Sequence, residues 1–292
     1  MTTIAPPPAP PTAAPPPLSP GGRTALRAVL VIAASALVLG CIVTLGVSAL
    51  GITSLRVNND RKDLPQGMRS LVIDASDVTV HVTSDPKATT PRVDLRTLTS
   101  TRGVQQRLEI TTVAGETRIH VTPDSGDFMD FSQAGDVTVT LPPKLATALS
   151  LTTQQEDGTL MVDADLDRLV ADSTDGDIVL NGAAHVVEVT TRDGNVASRK
   201  PLSVTESFVA QSVDGNVAVA FAAAPPRKIE ATTRDGDVAI TLPPTGPYLV
   251  RAQSDNATSI RVPETTDPAR AVSEVTVRST DGNVAVDTGR HW

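Results

Sequence analysis

The chain has 292 residues, a net charge of −8 and only six aromatic side chains, so its core must be filled by Val, Ile, Leu and Ala. That length suits one or two domains with appendages, and beyond the apolar segment described below no basic run able to track a phosphate backbone occurs, which excludes nucleic acid as a partner. The single cysteine, Cys41, lies in an apolar stretch, so no intramolecular disulfide can form and folding rests on packing alone.

Residues 1–24 carry nine prolines, including Pro6-Pro7-Pro8 and Pro15-Pro16-Pro17. This composition predicts a disordered tail rich in polyproline II, read as a spacer or as a ligand for a proline-binding module. Residues 25–55 are predicted to form one transmembrane helix, because the 28 residues from Ala28 to Leu55 contain no charge and exceed the roughly 20 needed to span a bilayer. A cleaved signal would have an apolar region of only about 7 to 15 residues. Val38-Leu39-Gly40-Cys41 also has the form of a lipidation site at Cys41, but Ile42-Val43-Thr44-Leu45 stay apolar where a lipoprotein turns polar. Arg23 and Arg27 before the helix are matched by Arg56, Arg61 and Lys62 after it, so charge does not fix the orientation. A long downstream domain is translocated largely regardless of charge, and the C-terminal domain is expected outside the cytoplasm.

A linker is predicted over 56–70, followed by an all-β ectodomain over 71–292. Leu71-Val72-Ile73, Val78 to Val82, Val137 to Leu141 and Val217 to Val219 read as strands, several with strict period-two alternation. Through this region one phrase returns: Ser/Thr, a variable residue, Asp-Gly, Asp/Asn, an aliphatic residue. It occurs at Ser173, Thr191, Ser212, Thr233 and Ser279. Gly158, Gly176, Gly194, Gly215 and Gly236 are spaced 18, 18, 21 and 21 residues apart, and Gly282 repeats the corner. A fixed period of this size marks stacked units, so a small-rung β-solenoid is expected, each rung being a strand, an Asp-Gly turn, a second strand and a variable return. The glycines are expected to supply positive φ at the turn and the aspartates to bond its amides. Prolines at 201, 225–226 and 243–244 mark the returns. Asp-Gly is also a hairpin signal, so a meander, sandwich or barrel is the competing architecture.

Gly135 to Pro143 and Gly236 to Pro244 share the pattern Gly-Asp-Val-x-x-Thr-Leu-Pro-Pro, 101 residues apart, consistent with duplication of a block of rungs. The segment from Asp255-Asn256 to Val262 has Asn256 where the phrase has Gly, so a distorted or interrupted rung is expected there.

Asp175-Gly176-Asp177-Ile178-Val179-Leu180-Asn181-Gly182, its repeats and the Leu-Pro endings resemble the bacterial putative-adhesin domain family, over roughly Leu71 to Trp292 and most strongly from Asp157 to Ile240. The resemblance implies a right-handed β-solenoid displayed at the cell envelope, and it brings no catalytic or binding residues with it.

In-register rungs would stack the corner aspartates at about 4.8 Å. Such a file repels itself unless compensated, and Asp175, Asp193, Asp214 and Asp235 are the candidate calcium ligands. Against calcium, each corner offers one or two ligands; turn capping, with Arg192 and Arg234 offsetting charge and Asn195, Asn216 and Asn283 making amide contacts, is the structural reading. The histidines at 81, 120, 185 and 291 show no metal spacing, and no nucleophile elbow, phosphate loop or cysteine pair occurs, so the sequence gives no support for an enzyme and implies no cofactor. Two functions follow. One is a membrane-anchored module for display, adhesion or protein interaction, meeting an envelope polymer or a protein. The other is a regulatory accessory of an envelope-stress sensor, acting on a membrane partner through the segment 28–55.

Overall fold

A computed structural model of the chain describes residues 55–100, 106–123 and 135–289. The expected tail, the membrane segment up to Ser54 and the last three residues lie outside them. In chain order the first strands are β1 (Leu55–Asp63), β2 (Ser70–Ala75), β3 (Val78–Ser84), β4 (Arg92–Ser100), β5 (Gln106–Val113), β6 (Glu116–Pro123) and β7 (Gly135–Leu141). A one-turn helix, α1 (Pro143–Ala146), leads to β8 (Ser150–Asp157), β9 (Leu160–Asp163), β10 (Arg168–Asp175), β11 (Ile178–Asn181), β12 (Ala183–Asp193), β13 (Val196–Ser198) and β14 (Ser203–Asp214). The chain continues through β15 (Val217–Ala220), β16 (Lys228–Asp235), β17 (Val238–Leu242), β18 (Tyr248–Ser254), β19 (Thr258–Arg261), β20 (Ser273–Asp281) and β21 (Val284–Thr288).

These strands form two sheets, one of eleven strands ordered β1-β4-β7-β3-β9-β11-β13-β15-β17-β21-β19 and one of ten ordered β18-β20-β16-β14-β12-β10-β8-β2-β6-β5. Each Asp-Gly turn passes the chain from the ten-stranded to the eleven-stranded sheet, and successive rungs pair in parallel. Parallel pairing excludes the hairpin meander, because a hairpin joins antiparallel neighbours. The fold is all-β and solenoid-like, with side chains alternating between the interior and solvent along each strand. In β10, Leu169, Ala171 and Ser173 point inward, stacked on Leu151, Thr153 and Gln155 of β8 and on Val187, Val189 and Thr191 of β12. Such a narrow interior is filled by aliphatic residues, with Phe208 and Phe221 meeting edge to face at 5.2 Å.

The step in period from 18 to 21 residues has a local origin. Leu180 pairs Ser198 and Ala183 pairs Ser203, so two extra residues enter the return, while a bulge opposite Ala184 and Val186 takes the third.

Several expectations are corrected. The stretch read as a linker contains β1, which lies at the edge of the eleven-stranded sheet beside β4. Both β4 and β5 run antiparallel to their neighbours β7 and β6, closing this end of the stack. Lys62 donates to the Leu108 carbonyl of β5 at 2.5 Å, occupying an edge acceptor that would otherwise template another strand. The last rung in sequence is not the last in space: β20–β21 inserts between β16–β17 and β18–β19. The irregular segment around Asn256 therefore does form a rung, and it is the terminal one. From Ser254 to Thr258 its corner is one residue shorter than the paired Ser279 to Val284, so the glycine file stops there.

Candidate functional site

Every corner glycine is packed against the carbonyl of the corner beside it. A Cβ on Gly176 would sit 1.8 Å from the Gly158 carbonyl oxygen, on Gly194 2.2 Å from that of Gly176, and on Gly215 2.0 Å from that of Gly194. The same holds for Gly236 against Gly215 at 2.3 Å and Gly282 against Gly236 at 1.8 Å. Rung-to-rung contact therefore requires glycine along the whole file. The expected positive φ occurs at Gly158, at +111°, and at Gly236, at +150°, whereas Gly215 at +159° is nearly extended.

Inside this file lies a row of hydroxyls supplied by the first residue of the phrase. Ser212 donates to the Gly194 carbonyl at 3.1 Å, Thr233 to Gly215 at 2.8 Å, Ser279 to Gly236 at 2.7 Å and Ser254 to Gly282 at 2.6 Å. Gln155 does the same for Val78 at 3.0 Å. Ser173 and Thr191 occupy the same row, yet their buried hydroxyls have no partner. The sequence displayed these residues plainly but gave them no role, because the acceptor lies on another rung.

Outside the glycines runs an amide ladder. Asn195 donates its backbone N–H and its side-chain amide to Asp177 Oδ1, both at 2.9 Å, and Asn216 repeats this toward Asn195 at 3.0 Å. Asp237 accepts the same pair from Asn283. The neutral amides bond the rungs while keeping Asp177 and Asp237 three rungs apart.

The corner aspartates stack as expected: Asp157, Asp175, Asp193, Asp214, Asp235 and Asp281 are successive register partners. Asp175, Asp193, Asp214 and Asp235 are thus brought into one line, yet among the described residues no three His, Cys, Asp or Glu side chains converge as metal ligands. Arg234 contacts Asp235 at 3.0 Å and Asp214 at 3.7 Å, whereas Arg192 makes no ion pair among the described residues. Carboxyl sharing with Asp235, then desolvation, pushes Asp214 above the ordinary carboxylate range. Asp235 is held below it, chiefly by its bond to Arg234. Asp77, at φ +58° in the glycine-free corner beside Asp157, is raised mainly by desolvation and then by the Asp157 charge.

The two exposed faces differ. On the eleven-stranded sheet Ala197, Ala218, Ala239 and Ala285 align in one row, offering methyl groups and no hydrogen bonds. On the ten-stranded sheet one row runs from His120 through Asp74, Gln154, Asp172, Thr190, Gln211 and Thr232 to Arg278 and Gln253. All nine are exposed or half-buried, and eight strand spacings give a polar line about 38 Å long. Each side chain is held by a ladder-fixed backbone, so the row presents donors and acceptors at a constant interval.

Residues 163–287 match the family model described as Toastrack DUF4097. The Toastrack match begins at the end of β9 and closes within β21, and so covers the rungs that carry the regular phrase. It is shorter than the region over which the sequence resembles putative adhesins, leaving β1 to β8 outside. No curated protein matches the chain. Similar solved structures include a putative cell adhesion protein from Clostridium sporogenes, 10% identical, covering 80% of this chain and 100% of that one with a TM-score of 0.37. A putative adhesin from Bacteroides fragilis is 11% identical over 79% and 97% of the two chains, with a TM-score of 0.39. Another from Parabacteroides merdae is 10% identical over 80% and 97%, with a TM-score of 0.40.

Proposed function

We propose that this chain is a membrane-anchored, extracytoplasmic binding module, in which the outer face of the ten-stranded sheet takes hold of an envelope polymer or another protein. The observation that supports this reading is the nine-residue polar row. Its fixed spacing matches a ligand that repeats, and its rigid backbone lowers the entropic cost of binding. The role is binding and not catalysis, and the stack serves to display the row. Residues 28–55 act as the anchor.

The test is adhesion of cells displaying the full-length chain to isolated wall polymer and to secreted proteins, with Gln154, Thr190 and Gln211 replaced together by Ala. These are exposed positions, so the melting temperature is expected to stay within a few degrees while adhesion is lost. Retained adhesion would overturn the assignment of the face. Loss of function on replacing residues 28–50 by a neutral Leu span, with adhesion intact, would favour action on a membrane partner instead.

A further inference from the structure

On the outer face of the eleven-stranded sheet, away from the polar row, β1, β4 and β7 enclose an open groove of about 620 Å³. Its walls carry Arg61, Arg92 and Arg96 with Asp94 and Asp136, over Thr138. Arg61 and Arg92 share one carboxylate, Asp94, the second at 3.4 Å. Arg96 lies opposite Asp136 in the β4–β7 register without an ion pair between them. Three guanidiniums against two carboxylates leave one positive charge and several unused N–H donors in a fork geometry. That balance fits a group with one negative charge and paired oxygens, which is a phosphodiester.

Position along the chain indicates where such a group comes from. β1 begins at Leu55, the last residue of the uncharged 28-residue stretch, and Arg61 is six residues on, within about 20 Å of extended chain. Charge is distributed accordingly: residues 55–100 hold seven Lys and Arg against six Asp and Glu, whereas residues 150–289 hold 11 against 21. An anionic surface repels the second region and tolerates the first.

We propose that this groove holds the phosphodiester headgroup of an anionic phospholipid from the membrane in which the chain is anchored. This inference rests on the anchoring read from residues 28–55. It makes the groove between β1, β4 and β7 a lipid-reading site, distinct from the adhesive face.

The experiment is titration of the full-length chain in a neutral detergent with dioctanoyl phosphatidylglycerol, dioctanoyl phosphatidylcholine and soluble poly(glycerol phosphate), read by affinity and by hydrogen-exchange protection of β4 and β7. Phosphatidylglycerol is expected to bind and protect both strands, and phosphatidylcholine to do neither. Arg96→Gln is expected to weaken binding about fivefold, the worth of one basic residue at an anionic surface. Asp136→Asn is expected to strengthen it by a similar factor, a gain that a purely structural role would not produce. Equal response to the two lipids, or no gain with Asp136→Asn, overturns the site; tighter binding of the soluble polymer overturns the lipid as its ligand. Alkaline extraction of membranes is read separately, since release of the chain there would remove the anchor while the titration still judges the groove.

Discussion

Asn283 donates both its backbone N–H and its side-chain amide to one oxygen of Asp237, at 2.7 and 3.0 Å, although 46 residues separate them. The intervening chain holds a complete extra rung, so the ladder joins neighbours in space and not in sequence. Such a double contact can be broken without touching the core. Asn216→Asp removes the amide donated to Asn195 and places a carboxylate beside Asp237. The expected loss at neutral pH is about 1 kcal/mol, the value of one hydrogen bond, and it should shrink as the pH falls. A urea midpoint equal to wild type at every pH would show the ladder to be without energetic weight.

Gly215→Val tests the reason for the glycine file. Its φ is almost extended, so the penalty comes from a Cβ 2.0 Å from the Gly194 carbonyl oxygen, and Gly215→Ala should suffer nearly as much as Val. Both should cost about 3 kcal/mol or more, the range of severe packing defects. Gly67, whose Cβ would meet nothing within 4 Å, supplies the control. Gly67→Ala should be neutral or slightly stabilising, and chemical denaturation of the three variants decides the matter.

The hydroxyl row predicts opposite effects for one chemical change. Thr233 donates to Gly215 at 2.8 Å, so Thr233→Val should cost about 1 kcal/mol. The Thr191 hydroxyl is buried without a partner, so Thr191→Val replaces a desolvated polar group by a methyl and should stabilise by a similar amount. Calorimetric melting of the pair measures the difference, and a shift of the same sign in both would contradict the assignment.

Acidification bears on the carboxylate file with a sign fixed by the pKa directions. Asp214 and Asp77 are raised in the folded state, so each binds its proton more tightly there than when unfolded. Their stabilising contribution is full below the unfolded carboxylate range and is lost as pH rises through the folded values. Asp235 is lowered, and its contribution is lost only as pH falls through its depressed value. Between neutrality and the ordinary carboxylate range the raised pair dominates, so the melting temperature should rise on acidification and fall again at lower pH. Asp214→Asn should raise it at neutral pH and flatten that rise. Superimposable pH profiles for wild type and variant would refute the coupling.

Much of the rung was legible. The recurrence of Ser/Thr-x-Asp-Gly-Asp/Asn announced strand, corner and strand, and the file from Asp157 to Asp235 stacks in the order the spacing implied. The role of the hydroxyls was not, because Ser279 and its acceptor Gly236 lie on different rungs and nothing local links them. The glycines were recognised for a conformational reason, whereas most are required by a neighbour's carbonyl, which only packing reveals.

The amino-acid sequence by itself determined the repeating unit: its length, its aliphatic interior and its glycine corner follow from local period and side-chain size. Tertiary structure alone decided the order of the units. β2 lies between β8 and β6, and β20 between β16 and β18, so at each end the chain passes over a rung before returning. The reason is physical. Parallel rungs with the same alternation can pair with almost any other, so the choice falls to features without a local signature. These are the antiparallel β4 and β5 at one end, and at the other the shortened corner at Asn256, which leaves no glycine on which a further rung could close.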